Sequence, residues 1–79
     1  SPAKCQLVVR HYDKVGVLAT VLDKLRRAEI NVEEMNNTVF QGAKAAVAVI
    51  RLAQIPADSV VKDIAAMHDM IINVEVKPV

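Results

Sequence analysis

An apolar stripe with helical spacing constrains the fold of this chain more than any other feature. Its members recur at i, i+3, i+4 and i+7 and share one face of a helix: Leu18, Val21, Leu22 and Leu25. Asp23, Lys24 and two arginines lie off the stripe, and the late cations suit the negative end of a helix. The spacing therefore predicts a helix over residues 15–28 that buries one face against a core.

Apolar residues with a period of two lie on either side of this helix. Residues 4–10 predict a first strand, in which Cys5, Leu7 and Val9 point to one face of the sheet. The alternate residues point to the other face and are polar except for Val8. A second strand is predicted over residues 30–40. Its pattern is irregular at residues 33–35, which indicates a bend or bulge.

The third predicted strand, over residues 44–53, is apolar on both faces, as is typical of a central strand. Residues 41–43 predict the hairpin turn before it, because Gly42 tolerates the positive φ that such turns need.

The last third of the chain predicts one more helix and one more strand. Pro56 fixes φ near a helix start, and Asp58 and Ser59 offer side chains to cap its free N–H groups. We expect the helix to end near residues 68–69. A strand over residues 71–77 follows and is stopped by Pro78.

The predicted order, β-α-β-β-α-β, indicates an α+β fold of ferredoxin-like type. Right-handed crossovers give one four-stranded antiparallel sheet with both helices on one face. The opposite face is left bare and apolar at Val8, Val47 and Val49, and the edge at residues 36–38 is polar and open to strand pairing. Residues 1–79 thus form one small domain, which we expect to be a homodimer or higher homo-oligomer.

Composition excludes several classes of partner. The net charge is +1 with no basic block, and Tyr12 and Phe40 are the only aromatic residues, so nucleic-acid binding has no support. No apolar run reaches membrane-span length. A single cysteine, Cys5, favours a reducing, cytoplasmic setting and is expected to be a core residue. The start at Ser1, without an initiator methionine, suggests a piece of a longer protein.

Catalytic and metal sites also lack support, and we expect neither. A metal carrier needs a pair of soft ligands, which one cysteine cannot supply. His11 and His68 are predicted to lie far apart, and Ser59 has no base nearby. Glu33 and Glu34 are adjacent on a strand and point to opposite faces unless a bulge intervenes.

The turn between the first strand and the first helix is the best candidate for binding a small ligand. Gly16 allows close approach of the backbone, and the helix N-terminus beside it attracts a carboxylate. Asp13 can accept from an ammonium group, and Asn31 can both donate and accept. A purely structural interpretation stays open: Asp13 caps the helix, Gly16 serves packing, and His11 is a hydrogen-bonded residue at a strand end.

The run His-Tyr-Asp-Lys-Val-Gly-Val-Leu at residues 11–18, followed by a helix and Ile-Asn-Val at residues 30–32, resembles the ACT domain. Within that family it is most similar to the C-terminal regulatory domains of D-3-phosphoglycerate dehydrogenase and related 2-hydroxyacid dehydrogenases. The resemblance implies a non-catalytic domain that senses an amino acid such as serine between two copies. It implies no cofactor in this domain and NAD in a parent oxidoreductase of serine biosynthesis. The effector-binding residues it implies are His11, Asp13, Val15 and Gly16 from one copy and Asn31 from the other.

The sequence departs from the serine-binding pattern at two positions. Asp13 stands where that pattern has asparagine, and Val15 stands where it usually has proline. The added negative charge disfavours an effector carboxylate at that spot but suits an amino group. The alternative function is a structural dimerisation module that senses no ligand.

Overall fold

The computed structural model describes residues 2–42 and 44–79 and has the predicted α+β architecture. One antiparallel sheet carries its strands in the order β2-β3-β1-β4, consistent with a ferredoxin-like βαββαβ arrangement. The elements are β1 (Cys5–Tyr12), α1 (Val17–Arg27), β2 (Val32–Val39), β3 (Ala45–Leu52), α2 (Asp58–Ala65) and β4 (Ile71–Pro78).

The core lies between the two helices and one face of the sheet. Alternate positions of the central strands supply one side of it: Cys5, Leu7, Val9, Ala48, Ile50 and Leu52. Val21 and Leu25 of the predicted stripe are fully buried against them, and Leu18 and Leu22 pack at the margin. The helical prediction is confirmed. Val17 and Ile64, also fully buried, complete the helix layer.

Two element boundaries differ from the prediction in ways that matter for the candidate ligand site. Strand β1 runs two residues further than expected, because His11 and Tyr12 remain paired with Ala46 and Ala45 of β3. Helix α1 starts two residues later than expected, because Gly16 adopts a left-handed conformation with φ of +87°. His11 is therefore a strand residue, and only residues 13–16 form the turn.

The start and end of α2 correct two further expectations. Ala57 is the N-cap residue of α2, and no side chain of the described residues caps this helix, so the predicted cap from Asp58 or Ser59 is wrong. Asp58 instead lies in the first turn, where its charge suits the helix dipole. The helix ends at Ala65, three residues before His68.

The strand irregularities follow the sequence more closely. The register of β2 against β3 shifts between Val32 and Glu34, which confirms the expected bulge. Gly42 has φ of +80°, as the hairpin turn requires, while Ala43 of the same predicted turn lies outside the described residues. Pro78 does not stop β4 but is its last residue and pairs with Cys5. Proline is tolerated there because β4 is an edge strand.

The face of the sheet away from the helices is uncovered and has an apolar centre. Val8 is 6% exposed there, although no second layer covers it, and its register partner Val49 is half-buried. Two ion pairs border this open face, Arg10 Nη1–Glu75 Oε1 at 2.6 Å and Arg51 Nε–Glu34 Oε1 at 3.8 Å. Their donors and acceptors are partly exposed, so they contribute little stability.

The two edge strands are protected to different degrees against pairing with another chain. Strand β4 ends in Lys77 and Pro78, both of which discourage strand addition. The central part of β2, residues 35–38, carries neither a charge nor a proline and is mostly exposed. The unguarded edge of the sheet is therefore β2.

Cys5 is a core residue, as the sequence predicted. It is 2% exposed, and its Sγ–H points to the Gln54 carbonyl oxygen at 3.7 Å. Burial raises the pKa of the Cys5 thiol, so less of the reactive thiolate forms at neutral pH. Within residues 2–42 and 44–79, no helix is long and apolar enough to cross a membrane.

Helix α1 ends in a Schellman motif that contains an unusual residue. The N–H of Ile30 donates to the carbonyl of Leu25 at 3.0 Å, and the N–H of Glu29 donates to that of Arg26 at 2.9 Å. Glu29 therefore occupies the left-handed position with φ of 60°, which glycine usually fills. A side chain in this conformation costs about 1–2 kcal/mol.

Replacing Glu29 with glycine is expected to raise the free energy of unfolding by about 0.5–1 kcal/mol, since the strain relieved exceeds the greater chain entropy of glycine. Urea denaturation followed by circular dichroism measures the change. The control is Ala28→Gly, one residue earlier, where φ is −84° and glycine gives no relief. A stability gain at Ala28 and not at Glu29 would contradict the explanation.

Candidate functional site

The β1–α1 turn is held in place by contacts with two other parts of the chain. The N–H of Tyr12 donates to the Met70 carbonyl, and that of Asp13 donates to the Lys44 carbonyl, both at 2.9 Å. Lys14 Nζ donates to the Asp69 carbonyl, also at 2.9 Å, and lies 5.5 Å from the centroid of the Tyr12 ring. These hydrogen bonds hold the turn against the residues that precede β3 and β4.

The N-terminus of α1 is open. Gly16 is its N-cap residue, and no side chain of the described residues caps it, so the interpretation of Asp13 as a capping residue is wrong. A Cβ added at Gly16 would meet nothing within 4 Å, so this glycine serves the positive φ and not close packing. The first turn, Val17–Thr20, has no acidic side chain, and the N–H groups of Leu18 and Ala19 have no acceptor among the described residues. Those of Val17 and Thr20 donate to the carbonyls of Lys14 and Gly16.

Two side chains of the turn project into solvent. Asp13 is exposed, and its carboxylate forms no ion pair with the described residues. Val15 is 102% exposed, as far from burial as an apolar side chain can be. An uncompensated carboxylate, an open helix N-terminus and a bare valine thus lie within four residues of one another.

His11 is not part of this exposed group, because its side chain faces the interior and is 2% exposed. Its Nδ1–H donates to the Tyr12 carbonyl at 2.8 Å, and Nε2 lies 2.8 Å from Oδ1 of Asn37 on the edge strand β2. If both ring nitrogens carry a proton, Nε2–H donates to Asn37 Oδ1. If Nε2 carries none, it accepts from Asn37 Nδ2 once the side-chain amide of Asn37 is rotated by about 180°. Both ring nitrogens are therefore satisfied, as the structural interpretation of His11 expected.

Asn31 lies at the other end of the sheet from the turn. Its carbonyl accepts from the N–H of Ala53 at 3.0 Å, and its N–H donates to Gln54 Oε1 at 3.1 Å. Its side-chain Nδ2 donates to Glu33 Oε1 at 3.4 Å. Since the length of β1 separates the two ends, Asn31 and Asp13 of one chain are about 30 Å apart, at 3.3 Å per strand residue. The fold thus brings His11, Asp13, Val15 and Gly16 to one end of the sheet, whereas Asn31 lies at the opposite end.

Glu33 and Glu34 are adjacent in β2 but have different partners. Glu33 contacts Asn31, whereas Glu34 faces Arg51 across the strand pair. Among the residues that the structure describes, no group of three or more histidine, cysteine or acidic side chains could hold a metal ion.

Sequence reasoning missed the role of Asn37. The sequence pattern indicates only a polar edge at this position, yet Asn37 links that edge to the buried His11. Strand alternation places Asn37 on the helix-facing side of β2, opposite Ala48. Its contact with a residue 26 positions earlier depends on the order of strands in the sheet, which no local pattern encodes.

The turn thus places an uncapped helix N-terminus and an exposed carboxylate at one end of the sheet, and the side-chain amide of Asn31 lies at the other end. Neither the models of known protein families nor the curated proteins include a match to this sequence.

Proposed function

We propose that this chain is a regulatory domain of ACT type that binds a small amino acid between two copies of itself. It would control a larger cytoplasmic, NAD-dependent 2-hydroxyacid dehydrogenase resembling D-3-phosphoglycerate dehydrogenase. The domain itself carries out no catalysis. The observation that carries the proposal is the separation of the β1–α1 turn from Asn31, because only a second copy can bring these parts together.

The unguarded edge strand β2 supplies a way to join two copies. Antiparallel pairing of two β2 strands about a two-fold axis centred on Asn36 places Val32 of one copy opposite Phe40 of the other. Val39, at the end of β2, pairs with Ala46 of β3, and Ala46 pairs in turn with His11 of β1. This end of β2 therefore lies at the same end of the sheet as the β1–α1 turn. This pairing therefore moves Asn31 of the second copy to the end of the sheet where the turn lies.

The composite site matches the two charges of an amino acid. The open N–H groups of α1 suit the ligand carboxylate, and Asp13 suits the ammonium group. Asn31 of the second copy adds an amide that donates and accepts, and the bare side chain of Val15 gains cover from the partner. His11 acts indirectly, because it fixes the turn end of β1 to the edge strand through Asn37.

Regulation follows from the position of the ligand between subunits. A ligand that contacts both copies binds the paired arrangement more tightly than the separated one, and it shifts the population toward pairing by that difference. An attached enzyme whose activity depends on subunit arrangement would respond to the ligand concentration.

Mixing two deficient variants tests the shared site. Asp13→Ala and Asn31→Ala are each expected to weaken amino-acid binding at least tenfold, about 1.4 kcal/mol, by removing a polar partner. In an equimolar mixture, half of the dimers are mixed, and each mixed dimer has one site with both residues intact. Calorimetry with a panel of amino acids, serine included, should recover about a quarter of the wild-type binding capacity.

The matched control is Asn73→Ala, which removes an exposed asparagine of the other edge strand and should leave affinity unchanged. Recovery of no sites in the mixture, although each variant dimerises, would refute a site shared between copies. Absence of any amino-acid response from the wild-type dimer would refute ligand sensing altogether.

A second candidate, a structural dimerisation module, is favoured by a different observation. The open face of the sheet is apolar at its centre, and Phe40 at the end of the β2 edge is 48% exposed. Such surfaces on a small domain favour association whether or not a ligand is present. Sedimentation that shows tight dimers, indifferent to every amino acid tested, would support this function over sensing.

A further inference from the structure

A shallow groove lies where helix α1 ends and strand β2 begins. It has a volume of about 340 Å³, within the size range of small-molecule sites. Three apolar side chains and three polar ones line it: Leu22, Ile30, Val32, Arg26, Glu29 and Asn31. The polar set consists of one guanidinium, one carboxylate and one amide, which together can pair with both charges of a zwitterion.

Glu29 in the wall of this groove is the only described non-glycine residue with positive φ. Glycine at the same position would end helix α1 without strain. Strain that persists where a common substitution would relieve it is an indication of function at the strained residue. The strain at Glu29 is thus a second, independent indication that this groove has a function.

The charged groups of the groove have unused hydrogen-bonding capacity. Arg26 directs Nε and Nη2 to Asp23 Oδ1, at 3.1 and 2.9 Å, which leaves the two Nη1 hydrogens for another acceptor. The carboxylate of Glu29 has no hydrogen bond or ion pair within residues 2–42 and 44–79. Asn31 donates a long hydrogen bond to Glu33, while its Oδ1 remains free to accept.

We infer that this groove recognises the two charges of a free α-amino acid with a short aliphatic side chain. Arg26 binds the carboxylate through the Nη1 hydrogens that Asp23 leaves unused, opposite the α1 N–H groups of the first copy. Glu29 binds the ammonium group together with Asp13 of the first copy. The apolar wall formed by Leu22, Ile30 and Val32 receives the side chain and favours valine over serine. This inference rests on the proposed function, since the groove contains Asn31 and would form the second copy's half of the shared site.

Ligands with one charge blocked test the two assignments separately. The wild-type 79-residue chain is titrated by calorimetry with L-valine, L-valinamide, N-acetyl-L-valine and L-serine. Valine is expected to bind at least tenfold more tightly than each of the other three. Arg26→Gln should abolish the preference for valine over valinamide, and Glu29→Gln should abolish the preference for valine over N-acetylvaline.

Two control variants remove the same charges nearby. Arg27→Gln neutralises the neighbouring arginine, which also pairs with Asp23 but does not line the groove. Glu34→Gln neutralises an exposed glutamate on the open face of the sheet. Both should keep the wild-type ligand preferences, and circular dichroism confirms that all four variants are folded.

The outcomes separate this inference from the function on which it rests. In one outcome, the wild type binds amino acids while Arg26→Gln and Glu29→Gln either keep its ligand preferences or weaken the binding of all four ligands equally. Either result overturns the assignment of the two charges to Arg26 and Glu29 and leaves the shared site in place. Tighter binding of serine than of valine also overturns it. If the wild type binds no amino acid, the inference fails together with the proposed function.

Discussion

Replacing Ile50 with alanine is expected to lower the free energy of unfolding by about 3–4 kcal/mol, through lost burial and the cavity left behind. Ile50 is fully buried on the central strand β3, between Leu7 of β1 and Met35 of β2. A domain of this size has a total stability of about 4–12 kcal/mol, so the loss is a large fraction of it. Urea denaturation followed by circular dichroism measures the effect.

The matched control is Ile55→Ala, which removes the same atoms from a side chain that is 69% exposed. Its stability should change by no more than about 0.5 kcal/mol. Equal losses at the two positions would show that the core is not arranged around the helix-facing side of the sheet. Because oligomerisation adds stability, both variants are compared at the same protein concentration.

Replacing Asn36 with lysine is expected to weaken self-association at least tenfold. In the proposed pairing, Asn36 lies on the two-fold axis, so two lysines would face each other about 5 Å apart. Their repulsion costs about 1–3 kcal/mol, depending on how far solvent screens it. Sedimentation at several protein and salt concentrations measures the dimer dissociation constant, and high salt should restore part of the affinity.

Asn73→Lys places the same charge on the other edge strand, β4. Asn73 pairs with Arg10, whose side chain lies on the open face of the sheet, so the new lysine lies on the same face as that of Asn36→Lys. It should leave dimerisation unchanged, since β4 already carries Lys77 and Pro78 at its end. If Asn73→Lys dissociates the dimer and Asn36→Lys does not, pairing occurs through β4 and the composite site does not form. If neither does, the dimer uses another surface.

Local patterns predicted the fold well because each element buries one face. The spacing of Val21 and Leu25 fixes which side of α1 meets the core, and the alternation of Leu7 and Val9 does the same for β1. The apolar character of residues 44–53 also predicted the central place of β3 in the sheet. Element ends were less predictable, as β1 shows, because pairing with β3 holds two further residues in the strand.

The candidate site was predicted in part. Gly16 and Asp13 lie where the motif indicated, at the open start of α1. The sequence left open whether Asp13 caps this helix, whereas the structure has Gly16 as the N-cap residue and no capping side chain among the described residues. It also did not indicate that His11 is buried, or that Glu29 bears the strain at the end of α1.

The sequence by itself determined the order of elements, the core-facing side of each and the position of the turn, since these depend on periodicities of two and 3.6 within short segments. Only the tertiary structure decided which edge is unguarded, that His11 meets Asn37, and that Asn31 lies about 30 Å from Asp13. The physical reason is that these relations depend on register between strands far apart in sequence, and register is set by packing of the whole core.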